Sequence, residues 1–209
     1  TSGHWKAAQT VTVTAADDNA VDGPPGTATI LSVVDASSDN NFDSLADQTV
    51  SVTTTDNDTA SFTVTQSGGS TSVAESGTTD TFTVVLDAQP ASDVVISVTS
   101  NDTTEATVSP ATLTFTSGNW NSAQTVTVTG VDDSLVDGSQ TTAATISVVD
   151  ASSDNDFDGI ANQTVSIITT NDDTAGFTVA ISGGSTSVAE SGSTDTFTVV
   201  LNAQPASNV

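Results

Sequence analysis

The chain has 209 residues, 35% of them apolar and 4% aromatic, and one Lys against 26 acids gives a formal charge of −25. Such a surface is a poor partner for nucleic acid or an anionic membrane, and no segment approaches the roughly 20 apolar residues of a membrane-spanning helix. With no Cys there are no disulfides, and the alternative staple for a large surface protein is a metal ion.

In chain order, the first informative stretch is 10–23, T-V-T-V-T-A-A-D-D-N-A-V-D-G. Val alternates with Thr at the period of a half-buried strand, which then runs into Asp17, Asp18 and Asp22 and is closed by Gly23. A strand that ends in three carboxylates presents oxygen ligands at one tip of a sheet, the kind that hard cations, Ca²⁺ above all, prefer. At Thr54 the run T-T-D-N-D-T-A-S-F-T-V, with Asp56 and Asp58, joins an ending strand to a starting one through acids. From there seven strands are expected, near 61–66 with 70–73, 81–86, 94–99, 111–116, 124–130, 142–149 and 163–170. They are separated by the turns S-G-G-S, Q-P-A-S, S-G-N-W, D-G-S-Q and D-F-D-G. Sustained alternation in short runs, rich in β-branched residues, predicts an all-β, antiparallel two-sheet sandwich. Its expected core is Phe82, Val84, Leu86, Val94, Ile96, Val98, Leu113, Phe115, Val126, Val128, Ile146, Val148, Val165 and Ile167. Trp120, and Trp5 as its twin, are expected to cap the open edge of that core.

The stretch 125–138 repeats 10–23, with Asp132, Asp133 and Asp137 closed by Gly138. Residue 1 aligns with residue 116 and the match runs without a gap to Val94 against Val209, so that 67 of 94 pairs are identical at a period of 115. A period of this length is a domain-sized tandem repeat. Placing boundaries at the acidic joins makes 59–173 one complete unit, 1–58 the later half of a preceding one and 174–209 the opening of the next. The chain is expected to be a window on a longer array.

With these residues placed, the unit resembles the Calx-β family. The resemblance rests on Val73-Ala74-Glu75-Ser76-Gly77, on Leu113-Thr114-Phe115, on Asp132-Asp133-Ser134-Leu135-Val136-Asp137-Gly138 and on Asn171-Asp172-Asp173. A shortened N-D-T-T-E-A-T segment offers Glu105 where the family carries an Asp, and Gln140 stands at the family's last acidic place. The wording S-G-N-W-N-S-A-Q-T-V-T-V-T also looks like tandem repeats of very long bacterial surface proteins and adhesins. The resemblance implies a Ca²⁺ cluster formed by Glu75, Glu105, Asp132, Asp133, Asp137, Asp172 and Asp173, with the Leu135 carbonyl and Asn171. Glu190 repeats Glu75, while Asp17, Asp18, Asp22, Asp56 and Asp58 repeat the later ligands. The competing reading is a set of solvated acidic loops held by Asx turns.

A second acidic loop, Asp154-Asn155-Asp156-Phe157-Asp158-Gly159, begins like an EF-hand loop. It has Val165 where that loop needs its twelfth-position Glu, and it weakens to Asp39, Asn41, Asp43 and Ser44 in the other copy; a hydrogen-bonded loop is expected there. Catalysis has little to stand on, since the one His, His4, is replaced by Asn119 in the other copy. The expectation is a non-enzymatic, extracellular, bacterial cell-surface repeat that spaces an adhesin or fibre, stiffened by Ca²⁺ at its domain junctions. Its partners would be neighbouring repeats and, in a fibre, other copies. The alternatives are a Ca²⁺-sensing regulatory domain and a glycan- or partner-binding adhesion module.

Overall fold

The computed structural model describes residues 6–23 and 26–209; Trp5 and His4 lie outside the described residues. Its strands in chain order are β1 (Gly26–Leu31), β2 (Gln48–Thr53), β3 (Phe62–Gln66), β4 (Thr71–Ala74), β5 (Thr79–Leu86), β6 (Val94–Ser100) and β7 (Ala106–Ser109). There follow β8 (Thr112–Phe115), β9 (Gln124–Gly130), β10 (Gln140–Val148), β11 (Gln163–Thr170), β12 (Phe177–Ile181) and β13 (Phe197–Leu201). The chain is all-β, its helical content limited to short 3-10 turns, and no helix among the described residues is long and apolar enough to cross a membrane.

Strands β3 to β11 form two sheets in the orders β3-β5-β9-β7 and β4-β11-β10-β6-β8. Alternation places one face of each strand inward. Phe82, Val84 and Leu86 of β5 are buried, as are Val126 and Val128 of β9, Ile96 and Val98 of β6, and Ile146 of β10. They pack with Phe115, Val165 and Ile167 in one core between the sheets. Each large side chain removed from water there contributes about 1.5–3 kcal/mol, the main term holding the sheets together. Trp120 packs half-buried against this core, and its carbonyl accepts the Leu86 N–H at 3.1 Å, in line with an edge cap.

The details differ from a seven-stranded antiparallel sandwich in three ways. The first expected strand is two. The Ser67–Gly69 turn, with Gly68 at φ +63° and Gly69 at φ +82°, carries the chain from β3 in one sheet to β4 in the other. Positive φ is accessible to glycine at no steric cost, so S-G-G-S is a crossing point between sheets. Second, β4 pairs with β11 in parallel, Thr71 opposite Ile167 and Ala74 opposite Thr170. Third, Ala106–Ser109 forms the extra strand β7 on the edge of β9, which brings the number in this region to nine. Val148, expected in the core, is half-buried against it, while Phe62, Val73, Ala106, Ala144 and Phe157 join it.

The flanking strands stand apart as two pairs, β1 with β2 and β12 with β13. Both flanks touch the nine-stranded region through the same isolated parallel bridge, Ala20 with Gln89 and Leu135 with Gln204, one repeat apart.

Candidate metal centre

Three loops and the chain just beyond β11 meet at one end of the sandwich. The first follows β4, where the Glu75 N–H donates to the Thr170 carbonyl at 3.1 Å and fixes Glu75 beside the end of β11. The second precedes β7: the Glu105 carbonyl accepts the Val131 N–H at 2.9 Å and the Thr169 hydroxyl at 3.3 Å. The third is the acidic loop after β9. Gly130 admits it, because a Cβ at that position would lie 2.1 Å from the Ala74 carbonyl oxygen. Only a residue without a side chain lets β9 end against the backbone that presents Glu75.

The acids assemble as two groups, Glu75 with Asp172 and Asp173, and Glu105 with Asp133 and Asp137. In each group one oxygen per residue lies within 4.8 Å of the others. Unit charges so spaced repel by about 3 kcal/mol per pair at an effective dielectric near 20. Glu75 is 1% exposed, and its carboxylate accepts the Asp172 N–H at Oε2 at 3.4 Å. Buried oxygens of Glu75 (Oε1), Glu105 (Oε2) and Asp173 (Oδ2) have no hydrogen-bond partner among the described residues. A buried carboxylate oxygen without a donor is costly, and a cation is one of the few groups that satisfies several at once.

The electrostatics agree. Burial pushes the Glu75 carboxyl above its ordinary range, and Asp133, Asp137 and Asp172 add to it against the single N–H bond. Burial likewise raises Glu105, with Asp137 the largest of its charged neighbours, and raises Asp173, with Asp172 the largest. Burial and like charge act together on these carboxyls, a pressure that a divalent ion would relieve.

The remaining ligand candidates are placed differently. Asp132 is exposed and outside both groups. The Asn171 side chain accepts the Asp173 N–H at 2.6 Å and so shapes the turn. Asp133 accepts the Leu135 N–H at 2.6 Å, and Leu135 itself bridges to Gln204. Glu190 is exposed and belongs to no acidic group among the described residues. In the N-terminal piece Asp17, Asp18, Asp22, Asp56 and Asp58 line one cavity with Asn57. There Asp56 accepts the N–H groups of Asp22 and Gly23, both at 3.1 Å, and Asp18 accepts that of Ala20 at 2.9 Å, as Asp133 does for Leu135. Burial raises Asp58 above its ordinary value, with Asp56 the largest charged contributor.

The Asp154 loop is hydrogen-bonded. Asp154 Oδ2 accepts the Ser92 N–H at 2.7 Å and its hydroxyl at 3.3 Å, while Oδ1 accepts the Asp156 N–H at 3.1 Å. The loop closes over the core through Phe157, which is fully buried. Phe157 was legible only as the one apolar residue inside an acidic run.

No family model matches the chain, and no curated protein matches it. Among solved structures it is similar to domains 4 and 5 of the S-layer protein SbsC, with 24% identity over 70% of this chain and 58% of that one and a TM-score of 0.40. Domains 1–6 of SbsC match at 18% identity over 86% of this chain and 25% of that one, TM-score 0.41. The apo form of the Calx CBD1 domain matches at 13% identity over 54% of this chain and 98% of that domain, TM-score 0.39.

Proposed function

We propose that this chain is a non-enzymatic, extracellular structural repeat whose acidic loops bind Ca²⁺ at the junction between units and stiffen an array of them. The observation that carries the reading is the convergence of two carboxylate triads, with three partnerless buried oxygens, at the end of the sandwich that meets the next unit. Glu75, Asp172 and Asp173 would hold one ion, and Glu105, Asp133 and Asp137 another. Flexible carboxylates in such numbers suit the six to eight oxygens of Ca²⁺ better than the strict octahedron of Mg²⁺. Asp172 and Asp173 lie on the connection between β11 and β12, so an ion held there ties the linker to the loops of the unit behind it. Without it, like charges push the loops apart and the junction becomes a hinge. Near-identical copies suit a spacer better than a sensor, which works with few and diverged domains.

Calorimetry of the whole chain should show Ca²⁺ binding, and small-angle scattering should give a narrower spread of maximum dimension in Ca²⁺ than in chelator. Scattering curves that coincide while Ca²⁺ binds would remove the joint.

A further inference from the structure

The acidic loop carries one apolar residue between its carboxylates, Val21 in the first copy and Val136 in the second. Val21 belongs by sequence to the unit before the nine-stranded sandwich, yet it is one of the partly buried hydrophobics that pack against that sandwich's core. The backbone on either side holds it there. The Gln89 N–H donates to the Asn19 carbonyl at 2.7 Å, and the Val21 N–H donates to the Gln89 carbonyl at 3.1 Å. Gln89 is itself fixed by its side-chain amide, which donates to the Ser117 carbonyl at 2.8 Å.

The arrangement recurs one repeat later. The Gln204 N–H donates to the Ser134 carbonyl at 2.6 Å, and Val136 faces a cavity lined by Phe177, Leu201, Ala203, Pro205 and Val209. One repeat earlier the same places are Phe62, Leu86, Ala88, Pro90 and Val94, of which Phe62, Leu86, Ala88 and Val94 are buried hydrophobics. The backbone contact occurs at both junctions; Val21 is half-buried on the complete following core, and Val136 stays 43% exposed over the partial one.

We infer that the acidic loop is also a plug: its valine closes the base of the following unit's core, clamped by main-chain pairing to that unit's Gln-Pro turn. The partner this surface fits is the same surface pair on the next copy. The contact is heterologous and head-to-tail, the kind that extends without closing. The plug stands on packing and backbone bonds, and it rests on the calcium reading only in that Asp133 and Asp137 flank Val136, so an ion there would hold the plug in its seated shape.

Amide hydrogen exchange on the whole chain tests this, in Ca²⁺ and in chelator. The Gln89 amide should be protected in both. Val21→Asp should lower that protection by about tenfold or more while the Ile96 and Val126 amides stay unchanged, and Val21→Ile should retain it. Val34→Asp, at an exposed position of the same piece, should leave Gln89 protected. Equal protection of Gln89 in Val21→Asp and the natural chain overturns the plug, as does an equal loss in Val34→Asp. A chain that binds no Ca²⁺ by calorimetry but loses Gln89 protection in Val21→Asp removes the calcium joint and leaves the plug. Unchanged Gln89 protection in a chain that does bind Ca²⁺ removes the plug and leaves the joint.

Discussion

Phe82 and Phe197 occupy the same place in the repeat, in identical local sequence, yet the first is fully buried and the second 60% exposed. Phe157 and Phe42 divide in the same way, at 0% and 55%. The strand pairs themselves do not differ. Phe177 faces Leu201 as Phe62 faces Leu86, and Thr27 faces Val52 as Thr142 faces Ile167. Register is therefore a local property, set by the alternation and the turns between two strands. Burial is not local: it requires the opposite sheet, whose strands β4, β6, β8, β10 and β11 are drawn from both halves of the unit.

The largest expected effect separates those two properties. Phe82→Ala should cost the complete unit about 3–5 kcal/mol, whereas Phe197→Ala should stay within about 0.5 kcal/mol. Urea denaturation followed by Trp120 fluorescence in a Trp5→Phe background measures both. Equal costs would mean that the outer strand pair is as deeply packed as the inner one.

Gly130 and Ala15 sharpen the comparison, because they too share one place in the repeat. Gly130→Ala should cost about 1–3 kcal/mol, since the new methyl meets the Ala74 carbonyl, and it should weaken Ca²⁺ binding by displacing Glu75. Ala15→Gly should leave the complete unit's melting unchanged. A neutral Gly130→Ala would show that β4 yields freely, and would weaken the claim that Glu75 is held in place.

A smaller difference separates Asp154 from Asp39. Asp154→Ala strips acceptors from the Ser92 and Asp156 N–H groups and should cost about 1–3 kcal/mol. Asp39→Ala, in the exposed copy, should remain within about 0.5 kcal/mol. Ca²⁺ binding by calorimetry should be unchanged in both; a lost site in Asp154→Ala would make that loop a ligand.

The gentlest test is pH. The folded state holds the protons of Glu75, Glu105 and Asp173 more tightly than the unfolded chain does. In chelator, the melting temperature of the complete unit should therefore fall as pH rises from the ordinary carboxylate range through these raised values. Asp80 and Asp102 act in the opposite sense at lower pH. Hydrogen bonds from Ser67 and Thr104 hold them low, so their stabilisation is lost as pH falls through the lowered values. Saturating Ca²⁺, or Glu75→Gln, should flatten the alkaline-side fall. A slope that persists in Ca²⁺ would place its origin outside the cluster.

These contrasts also explain what could be read from the residues alone. Alternation in β5, β6, β9 and β11 located both the strands and their inward faces, because period two and a buried face are the same physical fact. The strand β7 was hidden: A-T-V-S is four residues long and follows a turn-like N-D-T-T, and it forms only because β9 offers an edge. The parallel pairing of β4 with β11 joins strands nearly a hundred residues apart, and no short-range pattern encodes that. In the site, the acids were legible as a set and their division into two groups was not. Asp133 joins Glu105 while its neighbour Asp132 turns to solvent, yet the neighbours Asp172 and Asp173 share one group, a difference set by loop shape rather than by any sequence period.

The parallel pairing of β4 and β11 also governs how a unit meets tension. The chain enters through β3, crosses to β4 at the Ser67–Gly69 turn and leaves just beyond β11, so the first and last strands of the second sheet in chain order run side by side in one direction. Tension that passes β3 then slides β4 along β11. The hydrogen bonds from Thr71 to Ala74 are loaded together, lying across the direction of pull, and do not open one after another as in a hairpin drawn from its free ends. In the proposed array, each unit would resist stretching through this shear.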